Sequence, residues 1–157
     1  MYTVRKVHLF QIGRINRVAR ILDRCGKDMA EKYDLHHWHN PHLKNLLIAV
    51  LCAMKNRVYL VYNEEGQAIA TFQTKMAEKS LRFEKLATDP SFAGKGVGSF
   101  CMNTIEEMAK AAGCEKVCME VYDKSAHALR FYENRGYTVC GTVDTLKYTE
   151  IKMEKKL

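Results

Sequence analysis

At 157 residues, with 47% hydrophobic and 27% charged residues, the chain has the length and composition of one globular domain, 1–157, and its two prolines leave little for a linker. The longest apolar run, Leu46 to Ala53, is far below the roughly 18 residues of a membrane span, and no signal-type segment follows Met1, so a cytoplasmic protein without a membrane partner is expected. A net charge of +7 admits nucleic acid, but neither an aromatic-basic RNA motif nor a recognition-helix signature accompanies it; an anionic ligand and a solvated surface explain it instead, and no nucleic-acid partner is expected.

Tyr2 to Val7 alternates like a first strand. Ile15, Val18, Leu22, Cys25, Met29 and Tyr33 then keep one face of a helix apolar, while Arg14, Arg17, Arg20, Arg24 and Lys27 form a basic ridge, read as a solvated face. A polar loop, 35-LHHWHNPHLKN-45, follows, in which Asn40 can cap and Pro41 begin a second helix to about Met54, dense enough in apolar residues to be well buried. Arg57 to Tyr62 and Ala68 to Lys75 read as a hairpin about the turn-like Asn63-Glu64-Glu65-Gly66-Gln67. A third strand, 81 to 88, extends the meander and stops at Asp89-Pro90, where proline has no N–H for a ladder.

After that strand come Gly94, Gly96 and Gly98, then an apolar stripe at Val97, Phe100, Cys101, Ile105, Met108 and Ala112 that fits a helix ending before Gly113. Successive glycines let a backbone approach a ligand closely, and the helix start adds partial positive charge, so the turn favours phosphate or pyrophosphate, with Lys95 adding to the bias. A P-loop is excluded, because no glycine stands at position 89 ahead of Gly94-Lys95. A dinucleotide turn fits poorly: the spacing is GxGxG and the strand-to-glycine loop is long. Lys116 to Tyr122 makes another strand, expected to pair parallel, through a right-handed crossover, with the strand at 81. Ala126 to Asn134 follows as a helix, and Tyr137 to Val143 with Lys147 to Met153 closes the chain as an antiparallel pair about Asp144.

The turn 93-AGKGVG-98 resembles the Q/R-x-x-G-x-G/A signature of the GCN5-related N-acetyltransferases. Further on, 125-SAHALRFYENRGY-137 is similar to that family's N-x-x-A-x-x-x-Y-x-x-x-G-F, with Ala128, Tyr132 and Gly136-Tyr137 in register. The resemblance covers residues 56 to 155 well and the first 55 in element order. It implies an α/β (α+β) fold of order βααβββαβαββ: a mixed, mostly antiparallel sheet flanked by helices, with one strand bulged near Ala87-Thr88. It implies acetyl-CoA as cosubstrate, held by Leu86, Ala87 and Thr88, by Ala93, Gly94, Lys95, Gly96, Val97, Gly98 and Ser99, and by Ser125, Ala128 and Phe131. Ala93 replaces the usual Gln or Arg and Ser125 the usual Asn, so one phosphate-facing side chain is lost and one contact altered.

The implied chemistry is N-acetyl transfer to a primary amine of a small molecule, peptide or protein, with Tyr132 as general acid toward the leaving thiolate. Glu84, sharing strand parity with Leu86, is the candidate base. The family places the acceptor at the loop that here carries His37, Trp38 and His39. The alternative is a non-catalytic acyl-CoA-binding or regulatory module, motivated by Ala93 and Ser125; Tyr132 argues for the enzyme, since a binder needs no acid beside the sulfur. His36, His37, His39 and His42 lack a Cys or carboxylate at ligand spacing, so no metal is expected. The six cysteines form no CxxC pair and read as reduced residues, Cys101 among them on a buried stripe. Partners are then acetyl-CoA and the acceptor, with a homodimer left open.

Overall fold

The computed structural model describes residues 1–157, ordered β1 (Thr3–Val7), α1 (Ile12–Tyr33), α2 (His42–Lys55), β2 (Arg57–Tyr62), β3 (Ala68–Ala77), β4 (Ser80–Thr88), α3 (Val97–Ala111), β5 (Lys116–Tyr122), α4 (Ala126–Glu133), β6 (Thr138–Asp144) and β7 (Thr149–Lys156). The element order is the expected one, with a single 3-10 turn at Pro90–Phe92 added ahead of the glycines. The strands form one mixed sheet in the order β1-β2-β3-β4-β5-β7-β6, parallel at β4 with β5 and antiparallel at β1 with β2, β2 with β3, β5 with β7 and β6 with β7. The chain divides into two compact units, residues 1–74 with 85–104, and residues 75–84 with 105–157.

In the first unit, α1 lays Ile15, Val18, Ile21 and Leu22 on Val7, Val58 and Leu60 of the strands and on Ala49 of α2, all buried. Transfer of such side chains from water, at roughly 1.5–3 kcal/mol each, is what holds α1 down. Its C-terminus closes in the left-handed conformation at Asp34 (φ 55°), with Asp34 N–H donating to Ala30 O and Leu35 N–H to Met29 O, and this sends the chain into the histidine loop.

Two expectations about this unit are corrected. Pro41 precedes the second helix, which begins at His42, and Asn40 does not cap it: its side chain donates to Trp38 O. Nor is α2 buried all round. Ala49 and Asn45 face inward, whereas Leu43, Leu47, Leu51 and Met54 are exposed, because a helix touching its neighbours along one face leaves the rest outside however apolar the sequence.

In the second unit, β5 turns Val117, Met119 and Val121 inward, in alternation with half-buried Lys116, Cys118, Glu120 and Tyr122. The buried face of α3 is Val97, Cys101, Met102, Ile105 and Ala109 across the two units' residues; Phe100 and Met108 are only half-buried and Ala112 is exposed, so the stripe lies slightly around the helix from where the sequence put it. Glu106 joins the second unit together: it accepts from Tyr137 Oη at 3.3 Å and from Lys155 Nζ at 2.9 Å. Burial, and then Glu106 itself, push the Tyr137 hydroxyl well above the usual phenol range.

The strand β4 changes character along its length. Its parallel register with β5 covers Ser80, Leu81 and Arg82 against Lys116, Val117 and Cys118. Just beyond, Lys85 takes φ 49°, left-handed backbone that a lysine rarely adopts inside a strand. This backbone irregularity sits at Lys85, shortly before Ala87-Thr88, near which the bulge is expected.

Candidate functional site

The glycine turn lies wholly in the first unit. Asp89 ends β4 and starts the 3-10 turn by accepting from Ser91 N–H at 3.0 Å, which directs the chain away from the sheet. Gly94 and Gly96 then take φ 73° and 79°, and α3 starts at Val97. Left- and right-handed residues in alternation aim successive N–H groups into one concavity, and the first N–H groups of a helix lack intrahelical acceptors, so the two together suit an anion. A Cβ built on either glycine meets nothing within 4 Å, so the reason for glycine is the φ and the approach of a ligand rather than crowding by the protein.

Two side chains that the sequence left without a role, Arg24 and Tyr2, hold this turn. Arg24 of α1 donates to Asp89 Oδ2 at 2.6 Å and to Ser91 Oγ at 2.8 Å, so this member of the basic ridge is a tie. Tyr2 Oη donates to Lys95 O at 3.0 Å and its ring meets Phe100 edge-on at 5.3 Å. Lys95 Nζ lies 5.1 Å from the Phe92 ring centre. Of the other expected residues of this unit, Ala87 is buried in its core, Leu86, Thr88 and Ser99 are half-buried, Ala93 is exposed, and Gly98 lies within the first turn of α3.

The histidine loop is packed more closely than its polarity suggests. A Cβ placed on Gly26 of α1 would stand 2.3 Å from Trp38 O, so the loop backbone rests on the helix where only glycine fits. Lys85 Nζ lies 5.6 Å from the Trp38 ring centre, bringing the irregular residue of β4 onto this loop. His37 and Trp38 rings stand 6.0 Å apart, and His36 Nε2 is 2.7 Å from Asp34 Oδ1. Gly26→Ala is expected to lower stability. Alanine's helix propensity favours it by about 1 kcal/mol, but a contact with rigid backbone costs about 1–3 kcal/mol or more, and the clash prevails. A urea midpoint equal to or above that of the parent would show the loop to be free of the helix.

In the second unit, Tyr132 of α4 is buried among aromatic rings: Phe131 at 5.1 Å, Phe83 at 5.9 Å and Tyr137 at 6.1 Å between centroids. Ser125 stands buried at the N-cap position of α4 without capping it, Phe131 and Ala128 are half-buried, and the α4 start is closed by Ala128 and Leu129 N–H groups on Ser125 O. Glu84 Oε1 lies 3.2 Å from Arg82 Nε, and the same guanidinium makes a hydrogen bond with Glu120 of β5. Glu120 was hidden in the sequence as one polar position of an alternating strand.

Cys101 is fully buried, and burial pushes its thiol up to about 12, which removes it as an acyl carrier at neutral pH. All six cysteines are free, spanning buried Cys101 and Cys114 to exposed Cys140, and no group of three or more His, Cys, Asp or Glu side chains is arranged to hold a metal ion. No helix is long and apolar enough to cross a membrane.

A mixed sheet with an irregular fourth strand, followed by a glycine nest opening a helix, is an arrangement suited to a phosphate-bearing cosubstrate. The acetyltransferase (GNAT) family model matches residues 17–137, and the chain belongs to that family. It is an acyl-CoA-dependent N-acetyltransferase. Among curated proteins it is 25% identical over 132 residues to glucosamine 6-phosphate N-acetyltransferase of Trypanosoma brucei brucei, covering 75% of this chain and 86% of that one. It is 24% identical over 115 residues to the uncharacterized protein YdhI of Bacillus subtilis (strain 168), covering 73% and 70%. Its fold is like that of the ribosomal-protein-S18-alanine N-acetyltransferase from Escherichia coli, with TM-score 0.74 at 15% identity over 99% of this chain and 94% of that one. It is also like the PaiA N-acetyltransferase from Thermoplasma acidophilum, solved in complex with coenzyme A, with TM-score 0.71 at 18% identity over 100% and 99%.

Proposed function

We propose that the chain transfers an acetyl group from acetyl-CoA to a primary amine by direct attack, with Tyr132 as general acid and Glu84 as proton acceptor. The observation that carries the cosubstrate is the pair of left-handed glycines, Gly94 and Gly96, immediately before α3. Acetyl-CoA supplies a thioester whose carbonyl carbon accepts the amine and whose sulfur leaves as a thiolate. Backbone N–H groups of residues 94–99 hold the pyrophosphate, which explains why Ala93 serves in place of a basic or amide side chain. The backbone of Leu86, Ala87 and Thr88 binds the pantetheine amides, and Ser125, Ala128 and Phe131 of α4 line the rest of the arm.

The residues' work on protons follows from their chemistry. An amine is a cation in water and must lose a proton before attack. Glu84 and Glu120 stand at one guanidinium, and Glu84 is the carboxylate that attracts the cationic amine and takes its proton, directly or through water. Tyr132, a phenol protonated at neutral pH, gives the proton that the thiolate takes. His37, Trp38 and His39 form the acceptor's aromatic wall. A screen of amines with acetyl-CoA, read as free thiol release, tests the reading; no acceptor among small amines, peptides and protein N-termini above the hydrolysis background would refute it.

Glu84→Gln is expected to reduce turnover most at low pH, where unassisted deprotonation of the amine is rarest, and least at high pH. A pH–rate profile with the best amine checks this. A profile parallel to the parent and equally high would remove Glu84 from the mechanism.

A further inference from the structure

The first unit holds a cavity of about 490 Å³ with no residue of the glycine turn or the Arg82 cluster on its lining, which includes Thr3 and Arg5 of β1, Arg14 and Arg17 of α1, Tyr62 at the end of β2 and Glu64 of the following turn. We propose that this cavity is a binding site for a compact multivalent anion, one carrying two or more adjacent phosphate or carboxylate groups. It goes beyond the transfer reaction and does not rest on it.

The argument begins with the register of the strands. Thr3, Arg5 and Val7 alternate onto one face of β1, and Val58, Leu60 and Tyr62 onto the same face of β2, through the pairs Thr3 with Tyr62, Arg5 with Leu60 and Val7 with Val58. Val7, Val58, Leu60 and Tyr62 are covered by the apolar face of α1. Arg5 and Thr3 continue that face toward the start of α1, where Arg14 and Arg17 project from its first turns. The end of the core thus becomes a cup with Tyr62 as its floor.

The charges in the cup are not balanced by the protein. Arg24 and Arg82 each meet a carboxylate, but Arg5, Arg14 and Arg17 have neutral partners. Arg14 Nη1 donates to Gln11 Oε1 at 3.0 Å and to Lys6 O at 3.3 Å, Arg17 Nη1 donates to Tyr62 Oη at 3.4 Å, and Arg5 lies over the Tyr62 ring at 5.6 Å. Glu64, the one acid on the lining, is paired with the N-terminal ammonium. The first turn of α1 carries no acidic residue, and Arg14 within it also opposes the helix dipole. Three converging guanidiniums repel one another, and an anion accepting from their forks and from the Tyr62 hydroxyl turns that repulsion into binding. The volume is that of a small-molecule site rather than of a surface for a macromolecule.

The test is isothermal titration of the untagged chain, saturated with CoA so that the glycine turn is occupied, with inorganic pyrophosphate, with citrate, and with acetate as the monovalent control. Pyrophosphate or citrate should bind one to one and acetate should not; pyrophosphate the tighter marks a phosphate-bearing ligand, citrate the tighter a polycarboxylate. Arg5→Gln and Arg17→Gln should each weaken binding about 10-fold, the scale of one charge-assisted hydrogen bond. Tyr62→Phe should weaken it less, and Lys95→Gln, on the glycine turn, should not change it. Without anion, the two arginine variants should melt at or above the parent temperature, which also shows that they fold. Absence of heat at millimolar concentrations of both multivalent probes, or binding lost with Lys95→Gln and retained in Arg5→Gln and Arg17→Gln, overturns the proposal.

Discussion

Replacing Tyr132 by Phe is expected to lower turnover by about 10²-fold or more, the usual scale for a lost general acid, while leaving the CoA-induced rise in melting temperature as it is in the parent. The substitution removes one oxygen and keeps the ring. That ring is held by Phe83, Phe131 and Tyr137, so α4 should retain its place and the packing that supports Ser125 and Ala128 at its start. Binding and catalysis then separate. A purely structural Tyr132 gives a different result: turnover at the parent level, in an assay where the chemical step limits the rate, with at most a modest change in melting temperature. Tyr132→Ala does not make this distinction, because deleting a buried ring costs about 3–5 kcal/mol and alters α4 itself.

Much of this architecture was legible because the apolar periods are strong. Val117, Met119 and Val121 repeat every second residue, and Ile15, Val18 and Leu22 recur every three or four, so strand and helix announce themselves. What the periods do not carry is which partner covers a face. In α2, Leu43 and Leu47 look as buried as Ile15, and only the packing shows that Ala49 alone among its apolar residues turns fully inward. The left-handed backbone at Lys85 was not readable either, because no residue type there advertises it.

The site divides in the same way. Gly94 and Gly96 were readable because a ligand-cradling turn needs a residue type that a sequence displays. Arg24 and Arg17 were not separable, since both sit on one basic ridge; the fold sends Arg24 to Asp89 and Arg17 to Tyr62, 65 and 45 residues away along the chain. Gly26 has no role that the sequence displays, and its use becomes clear only where Trp38 O arrives beside it.

Gly96→Val should abolish the thermal stabilisation by CoA. At φ 79° a β-branched residue is strained by roughly 1–3 kcal/mol, and relief of that strain rotates the N–H groups that make the nest. If the backbone instead keeps its shape, the added side chain occupies the open space above Gly96, where the protein places no atom within 4 Å and the pyrophosphate must come close. Either response removes the anion site, so the prediction does not depend on which occurs. Strain alone must be distinguished from loss of the site, and Gly113 provides the control: it follows α3, has φ 72° and equally open space, and lies outside the turn. Gly113→Val and Gly96→Val should therefore lose similar stability, while only the latter loses its response to CoA. Equal CoA-induced shifts in the two variants would place the cosubstrate on other residues and leave the glycines of this turn as a device for folding.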